Sequence, residues 1–257
     1  EGAATKVVDT AFDSAIVAPT ADRAGYTFVG WSTDKNAESG NVNLGTLTNE
    51  TPATYYAIWS ADAKTYTVEF YEMNLNGKYV KLDKVVTLNG TVGKETAKYN
   101  PETVVGFTVN EGMSKLQGVV PAEDELTLVV YYDRNTYALT YEGNEAVQVY
   151  FGTAAADMPA AAETPTKEGH VFESWADLPA TMPASPVGIA ANWAKETYTL
   201  VFADTNDAGD EITREVTFGD SFTAPSGLTK TGHVFAGWNP VVPTTIGDLG
   251  ENEAVVT

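Results

Sequence analysis

Apolar and polar residues alternate with a period of two through short stretches of this chain. In Tyr198-Thr-Leu-Val-Phe202, residues Tyr198, Leu200 and Phe202 share one face, and Thr199 and Val201 share the other. That period marks a half-buried strand, and β-branched and aromatic residues fill it. Asp204-Thr-Asn-Asp-Ala-Gly209 then supplies turn chemistry, and Thr213–Phe218 returns as the second strand of a hairpin. The same plan recurs as Val68–Tyr71, a turn at Asn74-Leu-Asn-Gly77, and Val80–Leu88. Stretches rich in Pro, Ala and Thr follow, at 155–166 and 224–230. Ala154–Ala162 reads as a short helix interrupted by Pro159.

These strands belong to a repeat. A heptapeptide occurs three times, as Gly25-Tyr-Thr-Phe28-Val-Gly-Trp31, Gly169-His-Val-Phe172-Glu-Ser-Trp175 and Gly232-His-Val-Phe235-Ala-Gly-Trp238. Opening strands begin at Thr65-Tyr66, Thr136-Tyr137 and Thr197-Tyr198. Closing strands end in Tyr55-Tyr-Ala-Ile-Trp59 and Ile189-Ala-Ala-Asn-Trp193, with Tyr131-Tyr132 at the equivalent place in a divergent unit. The period is roughly 60–70 residues, the size of a small domain rather than of a helical-repeat unit. The expected modules are 1–64, 65–135, 136–196 and 197–257. The first lacks its opening strand motif and the last its closing Ala-x-Trp, so the chain reads as a monomeric fragment of a longer one. In module 65–135, Val104-Val-Gly106-Phe107 replaces the heptapeptide and no Trp follows. The expected fold is mostly β, with α+β as its outer limit. Each module has about four strands and one short helix or loop, and the modules form an elongated array. Small cores need large side chains, so Trp31, Trp59, Trp175, Trp193 and Trp238 are expected in them.

Composition narrows the function. The 257 residues hold 35 Asp and Glu against 15 Lys and Arg, for a formal net charge of -20. The cations are scattered, which argues against nucleic acid and anionic membrane surfaces and for a soluble, unassociated chain. No stretch approaches ~18 consecutive apolar residues, so no membrane insertion is expected. Cysteine is absent, which removes disulfides, thiolate metal sites and Cys nucleophiles.

The pattern Gly-[Tyr/His]-x-Phe-x-[Gly/Ser]-Trp, followed by a closing strand ending Ala-x-Trp, resembles the Listeria–Bacteroides repeat, also called the internalin B-repeat. Module 136–196 is the best match, with Phe172-Glu-Ser-Trp175, Leu178-Pro-Ala-Thr-Met-Pro183 and Ala191-Asn-Trp193. Module 65–135 is more similar to a mucin-binding-protein repeat. The resemblance implies β-grasp-like modules in a cell-wall-attached protein of the bacterial surface, serving as stalk or adhesin.

Candidate sites are few. His170 and His233 occupy one repeat position, filled by Tyr26 in the first module, as a strand position that accepts an aromatic ring would be. No Ser or acid pair sits in a nucleophile motif, so no catalytic residue and no cofactor are expected. Asp204, Asn206, Gly209 and Glu215 partly fit a twelve-residue calcium loop, but Ala208 breaks a ligand position and the flanks read as strands. Tyr79 and Tyr99 lie outside the core pattern and are expected to be exposed. An isopeptide crosslink would need a Lys beside Asn or Asp in an apolar interior. The expected role is a non-catalytic spacer whose modules are joined by linkers such as Ser60–Lys64 and Asp133–Asn135. The alternative is an adhesin binding host glycan or protein, with module 65–135 as receptor; a contiguous exposed aromatic patch there would favour it.

Overall fold

The computed structural model describes residues 5–40, 43–48, 54–247, 249 and 254–256. Two compact units divide the chain, Glu1–Arg134 and Asn135–Thr257. The first contains β1 (Tyr26–Ser32), β2 (Tyr56–Ala61), β3 (Ala63–Met73), β4 (Tyr79–Thr91), β5 (Phe107–Val109) and β6 (Thr127–Arg134). The other contains β7 (Thr136–Tyr141), β8 (Val147–Tyr150), β9 (His170–Trp175), β10 (Val187–Ile189), β11 (Ala191–Lys195), β12 (Thr197–Phe202), β13 (Ile212–Thr217) and β14 (Ala254–Val256). The protein is therefore nearly all β. The expected helix at 154–162 is a single 3-10 turn, Ala155–Asp157, because Pro159 cannot donate the bond that would extend it.

One topology recurs. In β4-β3-β6-β5, the opening strand β3 pairs antiparallel with β4 and parallel with the closing strand β6, which pairs antiparallel with β5. The same order appears in β8-β7-β10 and β11-β9, where only Ala190 separates β10 from β11. The order β13-β12-β14 repeats its first three strands, and β1-β2 its last two.

The hairpins correct the opening-strand register. Ala63 pairs with Thr91, Thr136 with Tyr150 and Thr197 with Thr217. Each of these partners precedes a Val-Gly or Phe-Gly pair. Ala63, not Thr65, is thus the equivalent of Thr136 and Thr197, and Lys64 stands where the others carry Tyr137 and Tyr198. The longer β3–β4 hairpin supplies a Tyr two residues on, which imitates the motif.

The core is more aliphatic than expected. Its fully buried residues include Val68, Leu128, Val130, Leu139, Met182, Phe202 and Ile246. Each contributes roughly 1.5–3 kcal/mol relative to exposure. All five Trp residues are only half-buried. Two of them lie at a core edge: Trp175 meets the Tyr141 ring edge-on at 5.0 Å, and Trp238 meets Phe202 at 4.8 Å.

A bulge explains the heptapeptide spacing. Residues three apart on a regular strand face opposite ways. In β1 the register slips at Val29, and in β9 at Glu173, so each strand gains one residue against its partner. Phe28 then meets both Trp31 (5.4 Å) and Trp59 (5.5 Å), and Phe172 meets Trp175 (5.0 Å) and Trp193 (6.0 Å).

Candidate functional site

The segment that partly fits a calcium loop forms a hairpin turn between β12 and β13. Asp204 is held by Lys230 at 2.6 and 2.8 Å, and Asn206 accepts from the Ala208 and Asp210 amides. Glu215 lies in β13 opposite Thr199. Among the described residues no three His, Asp or Glu side chains form a metal cluster. The Lys–carboxylate contacts Lys81–Glu69, Lys84–Glu102, Lys195–Asp220 and Lys230–Asp204 all lie at the surface, not in the apolar interior an isopeptide bond needs.

Two heptapeptide glycines, Gly25 and Gly169, sit at joints. In the first unit, β2 runs into β3 through the single residue Asp62, and in the other β11 runs into β12 through Glu196. The expected linker Ser60–Lys64 is therefore nearly all strand, and so is Asp133–Arg134 at the end of β6. Asp62 donates its amide to the Gly25 carbonyl (3.0 Å), and its own carbonyl accepts from Val92 (3.0 Å). Glu196 repeats both bonds with Gly169 (2.9 Å) and Phe218 (2.9 Å). Gly25 and Gly169 have φ of 74° and 63°, a region that costs an L side chain about 1–2 kcal/mol. Space forbids a side chain as well. A Cβ at Gly25 would meet Val92 at 2.9 Å and Ala122 at 3.1 Å, and at Gly169 it would overlap the Phe218 ring. His170 packs edge-on against Phe218, with centroids 5.5 Å apart, and the Tyr26 hydroxyl lies against Gly93. The histidine position is thus an aromatic contact between successive repeats. His233 has no such neighbour among the described residues and is exposed.

Another brace recurs in the hairpin that follows each opening strand. Gly93, Gly152 and Gly219 donate to the carbonyls of Val120 (2.8 Å), Met182 (2.8 Å) and Ile246 (2.7 Å), whose amides return bonds to Lys94, Thr153 and Asp220. Asp13, with φ 60°, makes the same exchange with Leu47 and Ser14. Sequence reading missed this brace, although each Gly follows a Val or Phe and each partner is apolar. In the first unit Lys64 adds a lock: its ammonium donates to the carbonyls of Pro121, Ala122, Glu123 and Asp124, at 2.6 to 3.2 Å.

The outward face of β4-β3-β6-β5 carries a tyrosine cluster. Val68 and Phe70 point inward, so alternation turns Glu69 and Tyr71 outward. Tyr71 stacks on its parallel neighbour Tyr131 at 5.0 Å, and Tyr79 meets Tyr131 edge-on at 4.9 Å. The Tyr79 hydroxyl donates to Asp133, and Asn110 donates to both, at 3.2 Å to the phenol and 3.0 Å to the carboxylate. The Asp133 bond pushes the Tyr79 phenol above its ordinary range, with burial adding to it. The bond from Lys81, 2.6 Å, holds the Glu69 carboxyl below its ordinary range. Tyr79 is half-buried, not exposed as expected; so is Tyr99, which meets Phe70 at 6.0 Å. Rings beside a carboxylate and an amide can stack on a sugar or proline face while bonding its polar groups. Strand pairing makes Asn192 the counterpart of Tyr131, so the repeat does not impose this cluster.

Residues 2–58 and 198–241 match the Listeria-Bacteroides repeat domain. Two proteins of Evansella cellulosilytica are similar along most of the chain. A predicted Gly-rich membrane protein is 25% identical over 250 residues, which cover 84% of this chain and 27% of the relative. A predicted membrane protein is 24% identical over 260 residues, which cover 93% and 38%. This chain thus spans well under half the length of these relatives. Among the described residues, no helix is long and apolar enough to cross a membrane.

Proposed function

We propose that the chain is a non-catalytic repeat region of a bacterial cell-surface protein, built of four tandem modules, the first two joined at Asp62, and serving as a stalk. In this reading it carries out no reaction. The repeat-family match and the membrane-protein relatives support the surface location. The observation that carries the reading is the joint. One residue connects two repeats, both of its backbone groups are bonded, and an aromatic ring packs beside it, so neighbouring modules turn little against each other. Residual dipolar couplings test this within the first unit. Residues 13–61 and 63–134 should share one alignment tensor; two independent tensors would reduce the stalk to a flexible string. Antibody against the chain should label intact cells making the full-length protein, and labelling only after lysis would remove the surface reading.

The tyrosine cluster favours an alternative reading, an adhesin module for a host glycan or protein. Saturable binding of the chain to immobilised host glycans or matrix proteins, lost in Tyr71→Ala and Tyr131→Ala, would support it. Absence of any such binding leaves the stalk alone.

A further inference from the structure

Tension along the chain reaches residues 63–134 through their first and last strands. Asp62 alone precedes β3, and Asn135 alone separates β6 from β7. Because β3 and β6 run parallel, the start of one and the end of the other lie at opposite ends of their ladder. A pull on those two points slides the strands past each other, and the evenly spaced bonds of a parallel ladder resist together. A pull on two strand ends that lie side by side would instead open the bonds one after another. The β3–β6 ladder runs over six residue pairs, Thr67–Glu72 against Thr127–Tyr132. The equivalent ladders β7–β10 and β12–β14 have three each.

Further ties cross between the same two strands. Near the start of β3, the Lys64 ammonium holds the carbonyls of 121–124, the segment that leads into β6. The Thr67 amide donates to the Leu126 carbonyl (3.1 Å), and the Thr67 and Thr127 hydroxyls are bonded at 3.2 Å. Tyr71 stacks on Tyr131 at 5.0 Å. At the far end, the Arg134 Nε donates to the Met73 carbonyl (2.9 Å). In module 136–196, Gly188 stands opposite Thr140 and offers no hydroxyl, and Asn192 replaces Tyr131. The tie there is the Ala191 amide donating to the Glu142 carboxylate (3.0 Å).

We infer that residues 63–134 form a mechanical clamp, the module of this chain that opens last under tension. The ring stack and the Lys64 lock then reinforce the two strands that a pull would separate, whether or not a ligand binds. The use of such a clamp in the cell rests on the stalk reading, whereas the resistance itself lies in the module.

Optical tweezers on the whole chain test this. The chain has no cysteine, so handles attach only where one is added. Opening releases at most about 260 Å of extended chain for 63–134 and about 220 Å for any other module, which identifies each event. With handles at the two termini, the longest release should come last and at the highest force. Handles at Asn76→Cys, in the turn after β3, and at Asn135→Cys pull on one end of the β3–β6 ladder. The opening force should then fall by about half or more, since the ladder bonds break in succession. A longest release that precedes the others, or an opening force equal in both geometries, would overturn the clamp. Either result would leave the rigidity of the joints, measured by dipolar couplings without force, as it stands.

Discussion

Gly169→Ala separates the two reasons for the heptapeptide glycine. Ala at a φ of 63° costs about 1–2 kcal/mol from backbone sterics alone. The methyl would also overlap the Phe218 ring, and forcing a well-packed contact apart costs typically 1–3 kcal/mol. Gly232 is the internal control, since its φ is 77° and its surroundings are open. Gly169→Ala should therefore destabilise by about 2–5 kcal/mol and Gly232→Ala by about 1–2 kcal/mol. Chemical denaturation followed by Trp fluorescence would report both. A double-mutant cycle sharpens the test. Phe218→Ala vacates the space, so Gly169→Ala should cost about 1–2 kcal/mol in that background. Equal costs at Gly169 and Gly232, or an unchanged cost without the Phe218 ring, would refute the packing argument and leave only the turn.

Four further outcomes follow. Lys64→Met should destabilise the first unit by about 1 kcal/mol, since four carbonyls lose a charged donor that is only half-buried, and should speed amide exchange around 118–126. Met182→Ala removes a fully buried side chain and should cost about 2–5 kcal/mol by thermal denaturation. The Tyr79 phenol is raised, so its bond to Asp133 stabilises below the ordinary tyrosine range and is lost as pH rises through the folded-state value; ultraviolet titration against Tyr79→Phe should show one late-titrating tyrosine. The Asp207 carboxyl is lowered by hydrogen bonds from the Thr231 hydroxyl and amide, so its contribution is present at neutral pH and lost as pH falls through that depressed value; Thr231→Val should return its NMR titration towards the ordinary carboxylate range.

Strand identity was legible because period-two alternation is local: Tyr198, Leu200 and Phe202 are all buried as their spacing implies. The opening-strand register was not, because Tyr66 two residues after Lys64 imitates the motif of a shorter hairpin, and only the cross-strand pairing of Ala63 with Thr91 exposes the shift. The burial of the Trp residues was overestimated for a related reason. Three-residue spacing of Phe28 and Trp31 shows that they recur, but not that a bulge at Val29 brings both rings into contact on one side of the strand. The tyrosine cluster was half-visible. Tyr79 stood out by itself, whereas Tyr71 and Tyr131 resembled ordinary strand residues until the parallel pairing set them side by side. The brace at Asp13 was hidden by its residue type, since Asp fills a left-handed turn that its counterparts fill with Gly.

The joint also accounts for which positions vary. A residue that touches only its own module can vary while the core stays filled, as Val68 stands where Tyr141 and Phe202 stand in the other opening strands. A joint residue must suit two modules at once. Gly25 answers to Val92 and Ala122, and Gly169 to Phe218. A glycine with positive φ also stands before an aromatic ring in 65–135, as Gly106 (φ 79°) and Phe107. The remaining heptapeptide signature, with its Trp, is absent there. What every copy retains is the glycine and the ring after it. The side chains that differ most, Tyr71, Tyr79 and Tyr131, lie on the outward sheet face, away from that constraint. Substitution there leaves the bonds and ring contacts of the joints at Asp62 and Glu196 untouched.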